Sequence, residues 1–425
     1  MKQLGTFSIG VGDRFAHQAN AQLQACILAE DVGVHVIPVW NKSNREHMII
    51  GSEPTSVRTA ADAAVKELGW NQNYFCDADH INFTTVDRFL PSCDFYTIDV
   101  ADYIGAAPDP SSLDDFVSRH AHLIGSIPLR TSEETILISD ALIRRTAERF
   151  LHAVQQAGKV YRHVANAKGA GNFIAEISMD ETDAAQSPGE LLIILAAIAD
   201  EQIPIQTIAP KFSGRFNKGV DYVGNVEQFS RELVLDIGAI DHAVSCFGLP
   251  ANLKLSIHSG SDKFSIYPAI HAAMEKFSVG VHLKTAGTTW LEEVTGLAEA
   301  GGDALELAKE IYAQAFAHSV ELCAPYATVI DIDTARLPAP SEVSAWSSEK
   351  FTGALRNNPL SPRFNPSFRQ LLHVGFKVAA KLGHRYLELI ESNEEIIAQN
   401  VTDNLFRRHI APVFLGQSIV HRTDG

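Results

Sequence analysis

The stretch LKLSIHSGSDKFSIYP, residues 253–268, changes character halfway along. Leu253, Leu255 and Ile257 alternate with Lys254, Ser256 and His258, the period of a strand. The alternation stops at Ser259-Gly260-Ser261-Asp262-Lys263, a polar turn with no apolar anchor. A strand that only had to end needs neither an imidazole nor a cation in its last residues. The same unit, an apolar strand running into a polar rim, recurs along the chain. Strands are expected at 4–12, 34–40, 73–79, 94–100, 172–180, 203–210, 253–260 and 280–288. Most are separated by segments of helical period, such as HQANAQLQACILAED (17–31) and TAADAAVKELG (59–69). After the fifth strand a helix start is explicit: Ser187 caps, Pro188 takes the first helical position and Glu190 completes a capping box. Eight strands alternating with helices close most economically as an α/β (β/α)8 barrel of the TIM type, expected over residues 1–300.

About 70 residues between the fourth and fifth strands exceed one crossover and are expected as a helical insertion, about 103–170. SEETILISDALIRRTAERFLHAVQQAG (132–158) reads as its main helix. Residues 301–425 are expected to form a C-terminal helical extension packed on the barrel, with RLPAPSEVSAWSSEKF (336–351) as the one linker-like segment.

Composition removes several function classes. A net charge of −16 opposes nucleic acid and anionic membrane as partners, although converging cations in a pocket still allow a small anionic substrate. The longest apolar run, nine residues from Leu191, falls well short of the roughly 20 that a membrane span needs. Five scattered cysteines without a CxxC, and no signal peptide, point to a soluble protein of the reducing cytoplasm. Gly10-Val11-Gly12-Asp13 lacks the third glycine of a dinucleotide fingerprint, and KGAGNF (168–173) precedes a strand where a phosphate loop precedes a helix. Neither NAD nor ATP is expected.

In such a barrel the chemistry sits at the C-terminal strand ends. Those ends read Asp13-Arg14, Asn41-Lys42, Asp77-Ala78-Asp79-His80, Asp99, then Glu176 followed by Asp180-Glu181. The later ones supply Lys211, Arg215, Lys218 and Asp221, then His258, Asp262 and Lys263, then His282 and Lys284. Imidazole with carboxylate suits one divalent ion of the Zn, Mn, Co, Ni or Fe kind. Each residue also has a plain structural reading. A strand-end His is often only hydrogen-bonded, Asp77 and Asp79 suit helix caps, and Lys263 and Lys284 suit a solvated rim. Glu176 resists that reading, because it lies inside the apolar run NFIAEIS and a buried carboxylate needs a partner.

Several blocks carry a resemblance. GVGDRF (10–15), CDADH (76–80), FYTIDVADY (95–103), ISMDET (177–182), KGVDYVGNVEQFSRE (218–232), LSIHSGSDKFSIYP (255–268), HLKTAGT (282–288) and RQLLHV (369–374) resemble, in order and over essentially the whole chain, those of the tagaturonate epimerase family. The resemblance implies a metal-dependent barrel enzyme interconverting tagaturonate and fructuronate, two keto-hexuronates from galacturonate and glucuronate breakdown. It further implies Asp79 as the proton-accepting group, Glu176 as its acid/base counterpart, and His80 and His258 as metal ligands. Asp221 is added as third ligand, with His282 in reserve as ligand or substrate contact. Family members carry a segment before the first strand, whereas this chain begins almost on it. The barrel is expected intact, with substrate preference and assembly, including a homo-oligomer, left open.

The two sugars differ at a carbinol carbon once removed from the carbon beside the ketone, so enolisation alone does not invert it. Either transient oxidation of the carbinol by a bound NAD or retro-aldol opening and reclosure does; the missing dinucleotide motif disfavours the first, and a Lewis-acidic metal, by stabilising the enediolate, favours the second. Arg14, Lys211, Lys263 and Lys284 are the candidate holders of the substrate carboxylate, together with the backbone N–H groups of Ser259-Gly260-Ser261. The competing readings are another metal-dependent sugar isomerase or aldolase acting on a related ketose, and a carbohydrate-binding protein without turnover.

Overall fold

The computed structural model describes residues 2–180, 182, 184–285 and 288–419. Glu181, named above at the rim, lies outside them. Ten strands are formed among the described residues. They are β1 (Phe7–Gly12), β2 (Val36–Ser43), β3 (Phe75–Ile81), β4 (Phe95–Asp99), β5 (Gly125–Pro128), β6 (Thr135–Ile138), β7 (Ile174–Ser178), β8 (Thr207–Ala209), β9 (Lys254–Ile257) and β10 (Val281–Thr285). Eight of them close a parallel barrel in the order β1-β10-β9-β8-β7-β4-β3-β2, and β5 and β6 form a separate antiparallel pair. All eight expected barrel strands are present.

Strand alternation sets what the barrel holds. Cys76 and Ala78 of β3, and Ile177 of β7, face the surrounding helices in the main apolar core. The opposite parity points inward. Ile37, Val39, Phe75, Phe95 and Ile174, with Leu4, form a second small apolar cluster that plugs the barrel near the start of the strands. Two residues further along the same strands the inward positions turn polar, to Asp77, Thr97 and Glu176, all buried. Gly10 on β1 makes room at this level: a Cβ there would stand 2.9 Å from Asn41 Nδ2 and 3.0 Å from Lys284 Cγ. The fold thus rests on an apolar floor and raises ionisable groups toward the C-terminal mouth.

The insertion carries the expected main helix but is not wholly helical. A helix at Pro110–Arg119 is followed by the β5–β6 hairpin, and only then by a helix spanning Asp140–Lys168. The β-branched run of β6 alternates exposed and buried residues, and Ser139 caps the helix by accepting from the Leu142 N–H. The first residues of SEETILISD therefore form turn and strand.

From Thr288 to Phe414 the regular elements are all helical, as expected. The helix at Glu394–Leu405 packs on that at Thr288–Ala300, where Asn404 Nδ2 donates to Glu292 Oε1 at 3.0 Å. Tyr386 packs on Trp290 and Phe15, tying the helix at His384–Ser392 to the first barrel loop. The Pro-rich segment is no linker, because Val343 and Trp346 within it are buried. No helix among the described residues is long and apolar enough to cross a membrane.

Candidate active site

A cleft of about 390 Å³ opens at the C-terminal ends of the strands, lined by Arg14, Asp79, His80, Asp180, His258, Ser259 and Lys284 among others. Two strand ends are bent to reach it. His80 has φ 52° and Ser259 has φ 49°, both left-handed conformations rare for side chains of this size. At His80 the β3–β4 register shifts between Ala78 and Ile81, a bulge that swings the imidazole out of the strand's alternation. Strain of this kind is held only where surrounding contacts fix it, and it clusters at functional sites.

His80, Asp180 and His258 converge, with ligand atoms all within 4.8 Å of one another. Asp180 Oδ1 lies 3.5 Å from His80 Nε2 and 3.2 Å from His258 Nδ1. His258 Nδ1 is buried and makes no hydrogen bond of good geometry, and its one close polar neighbour is Asp180, so this nitrogen is aimed at the convergence point. The outer nitrogens are fixed by carboxylates. His80 Nδ1 pairs with Asp79 Oδ1 and His258 Nε2 with Glu176 Oε1, each at 2.8 Å. Two imidazoles and a carboxylate, each imidazole oriented by a second carboxylate, fit a divalent transition metal. Burial works against ionisation of Asp180, but the two imidazoles hold its carboxyl well below the usual range. Burial likewise opposes the charged form of His80, and Asp79 with Asp180 raises it well above the ordinary imidazole value.

Beneath the triad lies a buried charge cluster centred on Lys284. Its Nζ is 2.7 Å from Asp77 Oδ2, 2.7 Å from Asp79 Oδ1 and 3.4 Å from Glu176 Oε1, and it donates to Thr97 Oγ1 at 2.6 Å. Three carboxylates around one ammonium keep the lysine charged despite burial. The carboxylates respond unequally. Burial, only partly offset by Lys284, pushes Asp77 up to about 6. For Asp79 burial is outweighed by Lys284 and His80, and its carboxyl falls far below the usual range. Glu176 is also lowered against burial, by Lys284 and His258.

The other expected residues are dispersed more widely. Arg14 reaches the cleft, where its Nε meets Glu46 Oε1 at 3.2 Å, its guanidinium lies 4.1 Å over the Phe376 ring, and its buried Nη1 has no hydrogen-bond partner. Ser259 and Lys284 line the cleft as well. Asp221 lies outside the convergent group that could hold a metal, where Asp180 stands instead. The Asp221 carboxylate instead accepts from the N–H and hydroxyl of Ser265, pinning its own loop to the turn after β9. Lys263 is turned away from the cleft and buried, donating to the carbonyls of Asn217, Val220 and Ser261. Lys211 is bound to the Thr182 carbonyl and does not line the cleft. His282 lies one layer down inside the barrel, 2.9 Å from Ser8 Oγ, where burial lowers it to about 3. Glu176 is fully buried behind His258 and so touches the imidazole rather than the cleft.

Sequence reasoning passed over Asp180 as ligand, and Asp77 and Thr97 as partners of Lys284. Their signal was parity. Asp77, Thr97 and Glu176 occupy equivalent inward positions on β3, β4 and β7, and Asp180 follows two residues after the end of β7.

The family profile described as UxaE, tagaturonate epimerase, matches residues 2–412. A tagaturonate/fructuronate epimerase from Thermotoga maritima is 26% identical over 423 residues, covering 95% of this chain and 80% of its own. A glycerol-complexed crystal structure of the fructuronate-tagaturonate epimerase UxaE from Cohnella laeviribosi superposes with a TM-score of 0.80 at 23% identity, over 96% of this chain and 81% of its own. The native structure of that enzyme gives 0.77.

Proposed function

The chain belongs to the tagaturonate epimerase family, and on that premise we propose that it interconverts D-tagaturonate and D-fructuronate by opening and reclosing a carbon–carbon bond. The observation that carries the reading is the meeting of His80, Asp180 and His258 with the Asp79–Lys284 pair in one cleft. His80, Asp180 and His258 would hold a divalent metal, which supplies Lewis-acid stabilisation of negative charge on the ketone half of the sugar.

The protein groups divide the remaining work. Asp79, kept ionised by Lys284 and His80, accepts the proton of the carbinol hydroxyl. The bond from that carbinol carbon toward the ketone then breaks, and its electron pair passes into the ketone half as an enediolate. The other half becomes an aldehyde and retains the substrate carboxylate. Arg14 holds this carboxylate through its unpartnered Nη1 while the aldehyde turns. Attack on the opposite aldehyde face reforms the bond, and Asp79 returns its proton to the new alkoxide. Glu176 acts on His258 and Lys284 rather than on the sugar, since its carboxylate is sealed beneath them. Lys284 spreads charge over Asp77, Asp79 and Glu176, so a proton arriving at Asp79 does not unbalance the cluster.

Turnover of tagaturonate by Asp79→Asn tests the assignment. With saturating metal the expected loss in kcat is about 10²–10⁴-fold, and metal affinity is expected to fall by no more than about 10–100-fold, since Asp79 also orients His80. Wild-type kcat in that variant rules out Asp79 as the acceptor.

A further inference from the structure

The turn Ser259–Lys263 was singled out in the sequence as a substrate-facing anion site, yet only its first residue lines the cleft. The rest of the turn is buried and faces the C-terminal helices. Asp262, fully buried, has φ 62°, a second left-handed residue within four positions of Ser259. Its carboxylate accepts from Arg369 Nη2 at 2.8 Å, and its backbone N–H donates to His409 Nε2 at 3.0 Å. Arg369 is itself fully buried and donates also to the carbonyls of Gly219 and Leu355, at 2.6 and 2.8 Å. His409 sits in a turn of π-helix, Phe406–Ile410, a local widening of the kind that recurs at functional positions. Its Nδ1 is fixed 2.9 Å from the Asn404 carbonyl oxygen, so the ring is held at both nitrogens.

From these contacts we infer that Arg369 and His409 are positioning residues of the active site. Through Asp262 they hold the turn that carries His258 and Ser259. The remaining contacts of the turn point the same way. Lys263 Nζ donates to three carbonyls, the Gly260 carbonyl accepts from Tyr267 Oη at 2.6 Å, and the Gly260 N–H donates to the Lys284 carbonyl at 3.0 Å. Two left-handed residues in a short turn persist only when such contacts over-determine them. Arg369 supplies the charged contact, from a helix more than 100 residues downstream in sequence. The C-terminal helices therefore brace, from behind, the turn that forms one wall of the cleft. The RQLLHV block has a function in this light: its first residue anchors the HSGSD turn.

The inference rests on the epimerase reading of the cleft, and wild-type turnover of tagaturonate tests that reading separately. Arg369→Lys keeps the charge but not the three-way hydrogen bonding, and Arg369→Met removes both. In metal-loaded full-length protein, kcat is expected to fall about 10-fold for Lys and about 100-fold for Met, the range for partners that orient site residues. KM should change little, because Arg14 stands on another loop. The visible spectrum of the Co(II)-loaded variants should shift, reporting movement of His258. Arg356→Lys is the control: it disturbs a different ion pair of the C-terminal helices, Arg356 with Glu299, and should lower the melting temperature without changing kcat or the cobalt spectrum. Should Arg369→Met fail to fold, Arg369→Lys alone carries the test. Wild-type kcat and spectrum in a folded Arg369 variant overturn the inference. So does a kcat loss no larger than that of Arg356→Lys at equal melting temperature.

Discussion

Replacing Lys284 with Met removes the ammonium that contacts Asp77, Asp79 and Glu176 while nearly preserving side-chain length. All four side chains are buried, so solvent does little to screen the change. Removing one partner of a buried ionic cluster costs about 3–5 kcal/mol. With a urea slope of about 3 kcal/mol per molar, that lowers the midpoint by about 1–1.7 M at pH 8. The loss should depend on pH, and its sign follows from proton uptake. In the wild type Asp79 and Glu176 sit below their unfolded values, so their contribution is present at neutral pH and fades only in acid. In the variant these carboxylates lose the cation that lowered them, and burial raises their folded values. A group so raised stabilises the fold below its unfolded value, and that stability is lost as pH rises toward its folded one. The gap between the two proteins should therefore narrow as pH falls. One carboxylate taking up a proton contributes about 1.4 kcal/mol per pH unit, or about 2–3 kcal/mol between pH 8 and pH 6. Urea unfolding of chelator-treated wild type and variant at both pH values measures this. A gap that is equal at the two pH values, or wider at pH 6, refutes the buried-cluster account.

Further outcomes follow from particular contacts. Asp180→Asn should weaken metal retention in a competition titration by more than the roughly 10–100-fold that loss of an outer partner costs, while Asp221→Asn should leave it unchanged, since Asp221 is committed to Ser265. Arg14→Gln should raise KM for tagaturonate at least 10-fold, through loss of a charged carboxylate contact, with a smaller effect on kcat in steady-state kinetics. Glu293, pushed up to about 8 by burial and Asp13, and bonded to Tyr386 Oη at 2.6 Å, favours the fold while it is protonated. Its contribution is complete below the ordinary carboxylate range and is lost as pH rises to about 8. Thermal unfolding of Glu293→Gln should lack that decline.

The barrel was legible because strand parity is local: each apolar-polar alternation and each polar strand end can be seen within a few residues. The same local reading places His80, His258 and Asp79 at strand ends, while their proposed roles come from the family resemblance. The β5–β6 hairpin was not, because TILI continues without a break into a strongly helical segment, and only the Ser139 cap marks the boundary. Asp221 and Asp180 were both acidic residues near strand ends. What separates them is the long-range contact of Asp221 with Ser265, which a linear sequence does not display. Lys263 and Arg369 show the same limit. Each is a charged residue of ordinary appearance; the hydrogen bonds of Lys263 need the loop after β8 to meet the turn after β9, and those of Arg369 need the C-terminal helices to meet both.

The most direct test of carbon–carbon bond opening is to incubate metal-loaded protein with tagaturonate in D₂O and follow the sugar by carbon and proton NMR. Cleavage and reclosure never breaks the carbon–hydrogen bond at the inverted centre. The prediction is therefore fructuronate that keeps ordinary hydrogen at that carbon, at every stage of conversion. Deuterium at the inverted carbon, or a product other than fructuronate, contradicts the account.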